Sequence, residues 1–145
     1  MEIYTIGFTK KDAKTFFGTL IGADATRLVD VRIHNASQLA GFTKQNDLRY
    51  FLSELAHMDY AHERALAPTA ELLEEYRKHR IPWSEYEGRF MDLMAERRIE
   101  ETVPQDLFSG RPVLLCSEAT PQHCHRRLVA EYLNSHWGDI EIVHL

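Results

Sequence analysis

Two rhythms of apolar residues alternate along this chain. Short runs rich in aliphatic and β-branched side chains occupy residues 3–6, 26–31, 58–62, 113–116 and 140–144, the length and composition of strands. Between them, apolar residues recur at helical spacing. Ala13, Phe16, Phe17, Leu20 and Ile21 form one stripe within 10–21, and Leu48, Phe51, Leu52 and Leu55 another within 47–56. Leu72, Leu73 and Tyr76 mark a helix over 70–79 with Thr69 as its N-cap, and Tyr86, Phe90, Leu93 and Met94 mark one over 84–101. Thr120-Pro121 predicts the start of a last helix running to about Ser135 through Leu128, Val129, Tyr132 and Leu133. Gly22 and Gly138 read as helix stops. Residues 33–44, with Asn35, Ser37 and Gly41, lack periodicity and read as a loop.

The predicted order is β-α-β-α-β-α-α-β-α-β. Strands separated by helices require crossovers, so the sheet is expected to be mostly parallel. Val113-Leu114-Leu115-Cys116 is apolar at every position, which predicts a strand covered on both faces. The expected architecture is a single three-layer α/β domain over residues 1–145. It has about five strands with helices on both faces, Rossmann-like or flavodoxin-like.

Composition changes this picture little. With 145 residues, 44% hydrophobic and 27% charged, the chain has the make-up of one globular domain. Its net charge of −5 argues against a non-specific binder of phosphate backbones. Nucleic acid is therefore not favoured as a partner, although a local basic pocket remains compatible with that charge. Two cysteines are too few for a disulfide-built secreted scaffold. The start, Met1-Glu2-Ile3-Tyr4, has neither a basic segment nor a long apolar run, and no stretch has the length of a membrane span. A cytoplasmic protein without a membrane partner is expected. Cofactor and oligomeric state are left open.

Candidate chemistry follows from where ligands bind in parallel sheets, outside the carboxyl ends of the strands. The first strand is followed by Gly7-Phe8-Thr9, the second ends in Asp30-Val31-Arg32, and the third is followed by His62, Glu63 and Arg64. The fourth ends at Cys116-Ser117-Glu118, and the next helix brings His123-Cys124-His125-Arg126. Cys116, Glu118, Cys124 and His125 are the candidate catalytic residues, a thiol–imidazole–carboxylate set suited to nucleophilic or redox chemistry. Thr5, Gly7, Asp30, Arg32 and Arg126 are candidates for holding a substrate. A helix start beside Arg126 would favour a thiolate or an anion. Packing is the competing role for both cysteines, because free cysteine is often buried. An ion pair with Arg32 is the competing role for Asp30. A metal held by Cys116, Glu118, Cys124, His123 or His125 is a further alternative, and a reversible Cys116–Cys124 disulfide another. The remaining histidines, among them His34, His57, His79 and His136, read as surface, and Tyr76, Trp83, Tyr86 and Phe90 as packing between helices.

These residues also form a pattern. Thr5-Ile6-Gly7, Asp30-Val31-Arg32, and above all Leu114-Leu115-Cys116-Ser117-Glu118 followed by Cys124-His125-Arg126 resemble the domain-of-unknown-function family 488 over essentially the whole chain. Gly41-Phe42, Tyr60 with His62, Tyr76 and Val143-His144 match more loosely. The resemblance implies a compact α/β domain whose functional cluster is Thr5, Asp30, Arg32, Cys116, Glu118, Cys124, His125 and Arg126. It assigns no reaction. Phe8-Thr9 stand where the family often has His or Tyr and then Ser, and Leu66-Ala67-Pro68 where many members have Leu-Gly-Gly.

Two functions fit. One is an enzyme with a small anion-tolerant pocket at the sheet edge, acting on an anionic or phosphorylated substrate. The other is a non-catalytic nucleotide- or nucleic-acid-binding module in which the thiols only pack.

Overall fold

The computed structural model describes residues 1–35, 41–118 and 120–145. The middle of the expected loop, Ser37 included, therefore lies outside the described residues, as does Ala119. Five strands form one sheet: β1 (Glu2–Gly7), β2 (Arg27–Asp30), β3 (Asp59–His62), β4 (Pro112–Cys116) and β5 (Glu141–His144). Their order across the sheet is β3-β2-β4-β1-β5, and every pair is parallel. The expected three-layer α/β architecture is present.

The helices divide between the two faces. On one face lie α1 (Ala13–Gly22) and α2 (Gln45–Phe51). Phe16, Phe17, Leu20, Leu48 and Leu52 there pack against Ile6, Leu28, Val113 and Leu115 of the sheet. The other face carries α3 (Ala70–Arg77), α4 (Trp83–Arg97), α5 (Ile99–Thr102) and α6 (His125–Trp137). Their core residues, including Tyr86, Phe90, Met94, Leu128 and Leu133, pack against Ile3, Val29, Leu114 and Cys116. Strand side chains alternate between faces. Val113 and Leu115 thus serve one core while Leu114 and Cys116 serve the other, and all of β4 is buried.

The strand order fixes where a site can form. In a Rossmann half-sheet the first two strands are neighbours; here β4 lies between them. Chain leaving β1 enters α1 on one face, and chain leaving β4 enters α6 on the other. The tips of these adjacent strands therefore diverge and open a crevice, the topological switch point of an open α/β sheet.

Several helix ends differ from expectation. Residues 84–101 do not form one helix: Arg98 takes a left-handed φ of 52°, ending α4 and beginning α5. The helix expected from residue 47 to 56 becomes α2 followed by a wider π turn at Leu52–Ala56, closed by His57 at φ 53°. Gly22 lies within α1, and Asp12 caps that helix by accepting from the Thr15 N–H. Thr120-Pro121 does not begin α6. The helix starts at His125 with Cys124 as its N-cap residue. This last shift moves Cys124 from the helix body to the junction where the loop turns in.

Candidate functional site

The β1–β4 crevice holds a cavity of about 580 Å³. That volume is within the range of small-molecule sites, roughly 300–1,000 Å³. Its floor is made of Cys116 at the end of β4, and Cys124 and His125 at the start of α6. Arg32 and Glu118 border it from the tips of β2 and β4. Five of the nine residues singled out from sequence thus meet at one space. Thr5, Gly7, Asp30 and Arg126 do not line it, and each has a supporting place behind it.

Asp30 is fully buried and fixes Arg32. The Asp30 carboxylate accepts from Arg32 Nε and NH2, both at 2.8 Å, and from the Tyr60 hydroxyl at 2.6 Å. Arg32 NH2 also donates to the Thr43 carbonyl at 2.7 Å. The fork geometry holds the guanidinium in one orientation, 5.4 Å above the Phe8 ring. Arg32 NH1 is buried without a partner among the described residues. Burial pushes the Tyr60 hydroxyl to a raised pKa, and the Asp30 charge adds to the shift.

Gly7 is required by close approach. A Cβ there would lie 1.6 Å from the Glu118 carbonyl oxygen and 2.7 Å from Arg126 NH1. Thr5 is buried, with its hydroxyl 2.6 Å from His144 Nδ1. Arg126, expected to hold an anion in the pocket, is instead fully buried beneath the loop after β4. It donates to the Glu118 carbonyl at 2.6 Å, and its NH1 is 3.6 Å from Cys116 Sγ. Its Nε and NH2 have no partner among the described residues. Burial lowers its pKa to about 10, which still leaves it charged at neutral pH. Arg126 ties the loop down and sets a positive charge beside the Cys116 sulfur.

The sulfurs of Cys116 and Cys124 meet as a disulfide, with the Cα atoms 7.3 Å apart. The two sulfurs singled out from sequence thus lie side by side. His125 is buried and its Nε2 lies 2.7 Å from the Val31 carbonyl. Because a carbonyl only accepts, Nε2 carries the proton and Nδ1 keeps the lone pair. Burial lowers the His125 pKa to about 4, so the ring is neutral at physiological pH.

Several lining residues escaped the sequence reading. Lys10, Lys11 and Arg77 join the Asp30-paired Arg32 around the cavity, where Glu118 is the one lining carboxylate among the described residues. Lys11 Nζ donates to the Gly7 carbonyl at 2.8 Å. Trp83, Tyr76 and Tyr86 do pack between helices, as expected, but they also form the cavity's aromatic wall. His123 stacks on Trp83 at 5.0 Å, and the exposed His34 also borders the space. The signal available in the sequence was Lys10-Lys11 directly behind the tip of β1. Nothing in the sequence brought Arg77 or Trp83 across to that tip.

A family model described as domain of unknown function DUF488 matches residues 12–133. The chain belongs to this family. The matched region contains Asp30, Arg32, Cys116, Cys124, His125 and Arg126, so the DUF488 domain includes both the cavity floor and its supports. No curated protein and no solved structure matches the chain. Among the described residues of this DUF488 protein, no helix is long and apolar enough to cross a membrane.

Proposed function

We propose that this DUF488 protein is an enzyme for a small anionic substrate, bound in the crevice between β1 and β4. One observation carries the reading. Among the described residues three cationic side chains without a buried counter-ion, Lys10, Lys11 and Arg77, surround a cavity with one carboxylate, Glu118, while Arg32 beside them is ion-paired to Asp30, in a chain of net charge −5. Such a cavity concentrates anions, because low-dielectric walls focus the field of like charges. Arg32, held rigid by Asp30, borders the cavity and would serve as a fixed anchor for the substrate. The reactive groups would be those of the floor: the sulfurs of Cys116 and Cys124, and the neutral His125. Glu118 at the rim is suited to moving a proton. A cytoplasmic setting belongs to this reading, since that compartment keeps thiols reduced.

The test is binding of phosphate, pyrophosphate and nucleoside monophosphates, measured by calorimetry at low and high salt. Arg77→Gln and Lys10→Gln change exposed cavity residues. Each is expected to weaken anion binding severalfold, and added salt to weaken it further. No anion binding in the millimolar range, or variants that bind as well as the parent, would refute the proposal.

The aromatic wall favours a second reading, a nucleotide-binding module without turnover. Trp83 stacked with His123 beside Tyr76 and Tyr86 offers flat surfaces for a base. Nucleotide binding that quenches Trp83, survives Cys116→Ser with Cys124→Ser, and yields no product would select this reading over the first.

A further inference from the structure

Cys116 Sγ, Cys124 Sγ and a ring nitrogen of His125 all lie within 4.8 Å of one another. All three side chains are buried, and all three line the cavity. We infer that the reduced Cys116, Cys124 and His125 form a three-ligand site for a thiophilic divalent metal of the zinc class, with its remaining coordination position opening into the cavity.

The ligand set selects the metal. Two thiolates and one imidazole are soft to intermediate donors that suit zinc and disfavour magnesium or calcium. Two sulfurs and one nitrogen with one open position is an arrangement used by catalytic zinc, whereas a structural site closes with four protein ligands. Among the described residues no fourth His, Cys, Asp or Glu joins the group.

The supports are those a metal site needs. Cys116 ends a strand hydrogen-bonded on both sides, and Cys124 is the N-cap and His125 the first residue of a thirteen-residue helix. Ligands on such elements are held in place without the metal. The His125 Nε2–H donates to the Val31 carbonyl, which orients the ring and leaves Nδ1 for the metal. Ligating histidines are commonly fixed in this way by a backbone carbonyl. Arg126 NH1, 3.6 Å from Cys116 Sγ, is placed to donate to that sulfur as a thiolate. The Cα separation of Cys116 and Cys124, 7.3 Å, is wider than the roughly 4.4–6.8 Å of most disulfides. A pair reaching inward from that distance is suited to gripping an atom between its sulfurs.

Charge gives the open position its direction. Two thiolates cancel a divalent ion, so the rim cations Lys10, Lys11 and Arg77 still favour an anion over the metal. The inference shares its cavity with the proposed enzyme but does not rest on its substrate, because binding of the metal alone is measured.

The experiment uses the full chain, reduced and freed of metal by chelation, titrated with cobalt(II). One equivalent is expected to bind, with thiolate-to-metal charge-transfer absorption and the visible bands of four-coordinate cobalt; zinc should displace it. Cys116→Ser and Cys124→Ser should each remove half or more of the charge-transfer absorption. A second measurement covers the case in which a variant fails to fold: zinc should protect both thiols of the parent from alkylation. Phosphate added to the cobalt form should shift the visible bands. No charge-transfer absorption in the folded, reduced protein, or thiols equally alkylated with and without zinc, overturns the site. Visible bands indifferent to every anion overturn the open position. Anion binding to the metal-free chain, lost or kept, reports separately on the proposed enzyme.

Discussion

Replacing Asp30 with alanine isolates the contribution of the buried support beneath the pocket. The substitution removes the acceptors of four hydrogen bonds: Arg32 Nε and NH2 at 2.8 Å each, the Arg32 backbone N–H at 3.2 Å, and the Tyr60 hydroxyl at 2.6 Å. Arg32, 5% exposed, is then left with the Thr43 carbonyl as its one hydrogen-bond acceptor among the described residues. Breaking a buried ion pair from one side costs about 3–5 kcal/mol, because the surviving charge stays desolvated. At a urea dependence of about 2 kcal/mol/M, the unfolding midpoint should fall by about 2 M. Asp30→Asn keeps the shape but turns an amide toward Arg32 NH2, so about 2–3 kcal/mol is expected, the scale of lost charge-assisted hydrogen bonds. Asp30→Ala combined with Arg32→Met removes the orphaned charge and should recover much of the loss. Urea unfolding of the parent, both single Asp30 variants and the double variant measures all of this. A cost below about 1 kcal/mol for Asp30→Ala, at unchanged denaturant slope, refutes the view that a desolvated pair holds Arg32. So does a double variant no more stable than Asp30→Ala alone.

Three further outcomes are expected. Gly7→Ala places a methyl 1.6 Å from the Glu118 carbonyl oxygen, so β1 and the loop after β4 must separate; a loss of about 2 kcal/mol or more is expected, and a melting temperature equal to the parent's would contradict it. Tyr60→Phe removes the donor to Asp30 and should cost about 1.5–3 kcal/mol, the range for hydrogen bonds to charged groups, read by the same urea series. His125, whose pKa burial lowers to about 4, makes the metal-free protein sensitive to acid. Its contribution is intact above the unfolded-state pKa of about 6.5 and is lost as pH falls from there toward the folded-state value, because the unfolded chain takes up the proton first. Between pH 7 and pH 5 the loss should be about 2 kcal/mol; a His125→Gln variant that keeps the same pH slope would show that another group is responsible.

The amino-acid sequence by itself determined the layers and the approximate place of the site. The wholly apolar Val113–Leu115 run announced a strand covered on both sides, and alternation of strand-like and helical segments implied parallel crossovers. Strand ends could be located because period and composition change sharply there, so Arg32, Cys116 and Glu118 were placed at sheet tips that the structure brings around one cavity. Helix ends were less legible. The start of α6 at His125 rather than after Thr120 accompanies a loop that packs against Gly7 and over Arg126, a contact between residues far apart in the chain. Only the tertiary structure decided which polar groups face the cavity and which stand behind it. Arg32 and Arg126 look alike in sequence, yet one borders the space and the other is sealed under the loop. The difference arises from the insertion of β4 between β1 and β2: its chain leaves toward α6 on the face opposite α1 and α2, carrying Arg126 behind the strand tips. Strand order follows from the summed packing of both cores, and no local pattern of residues encodes it.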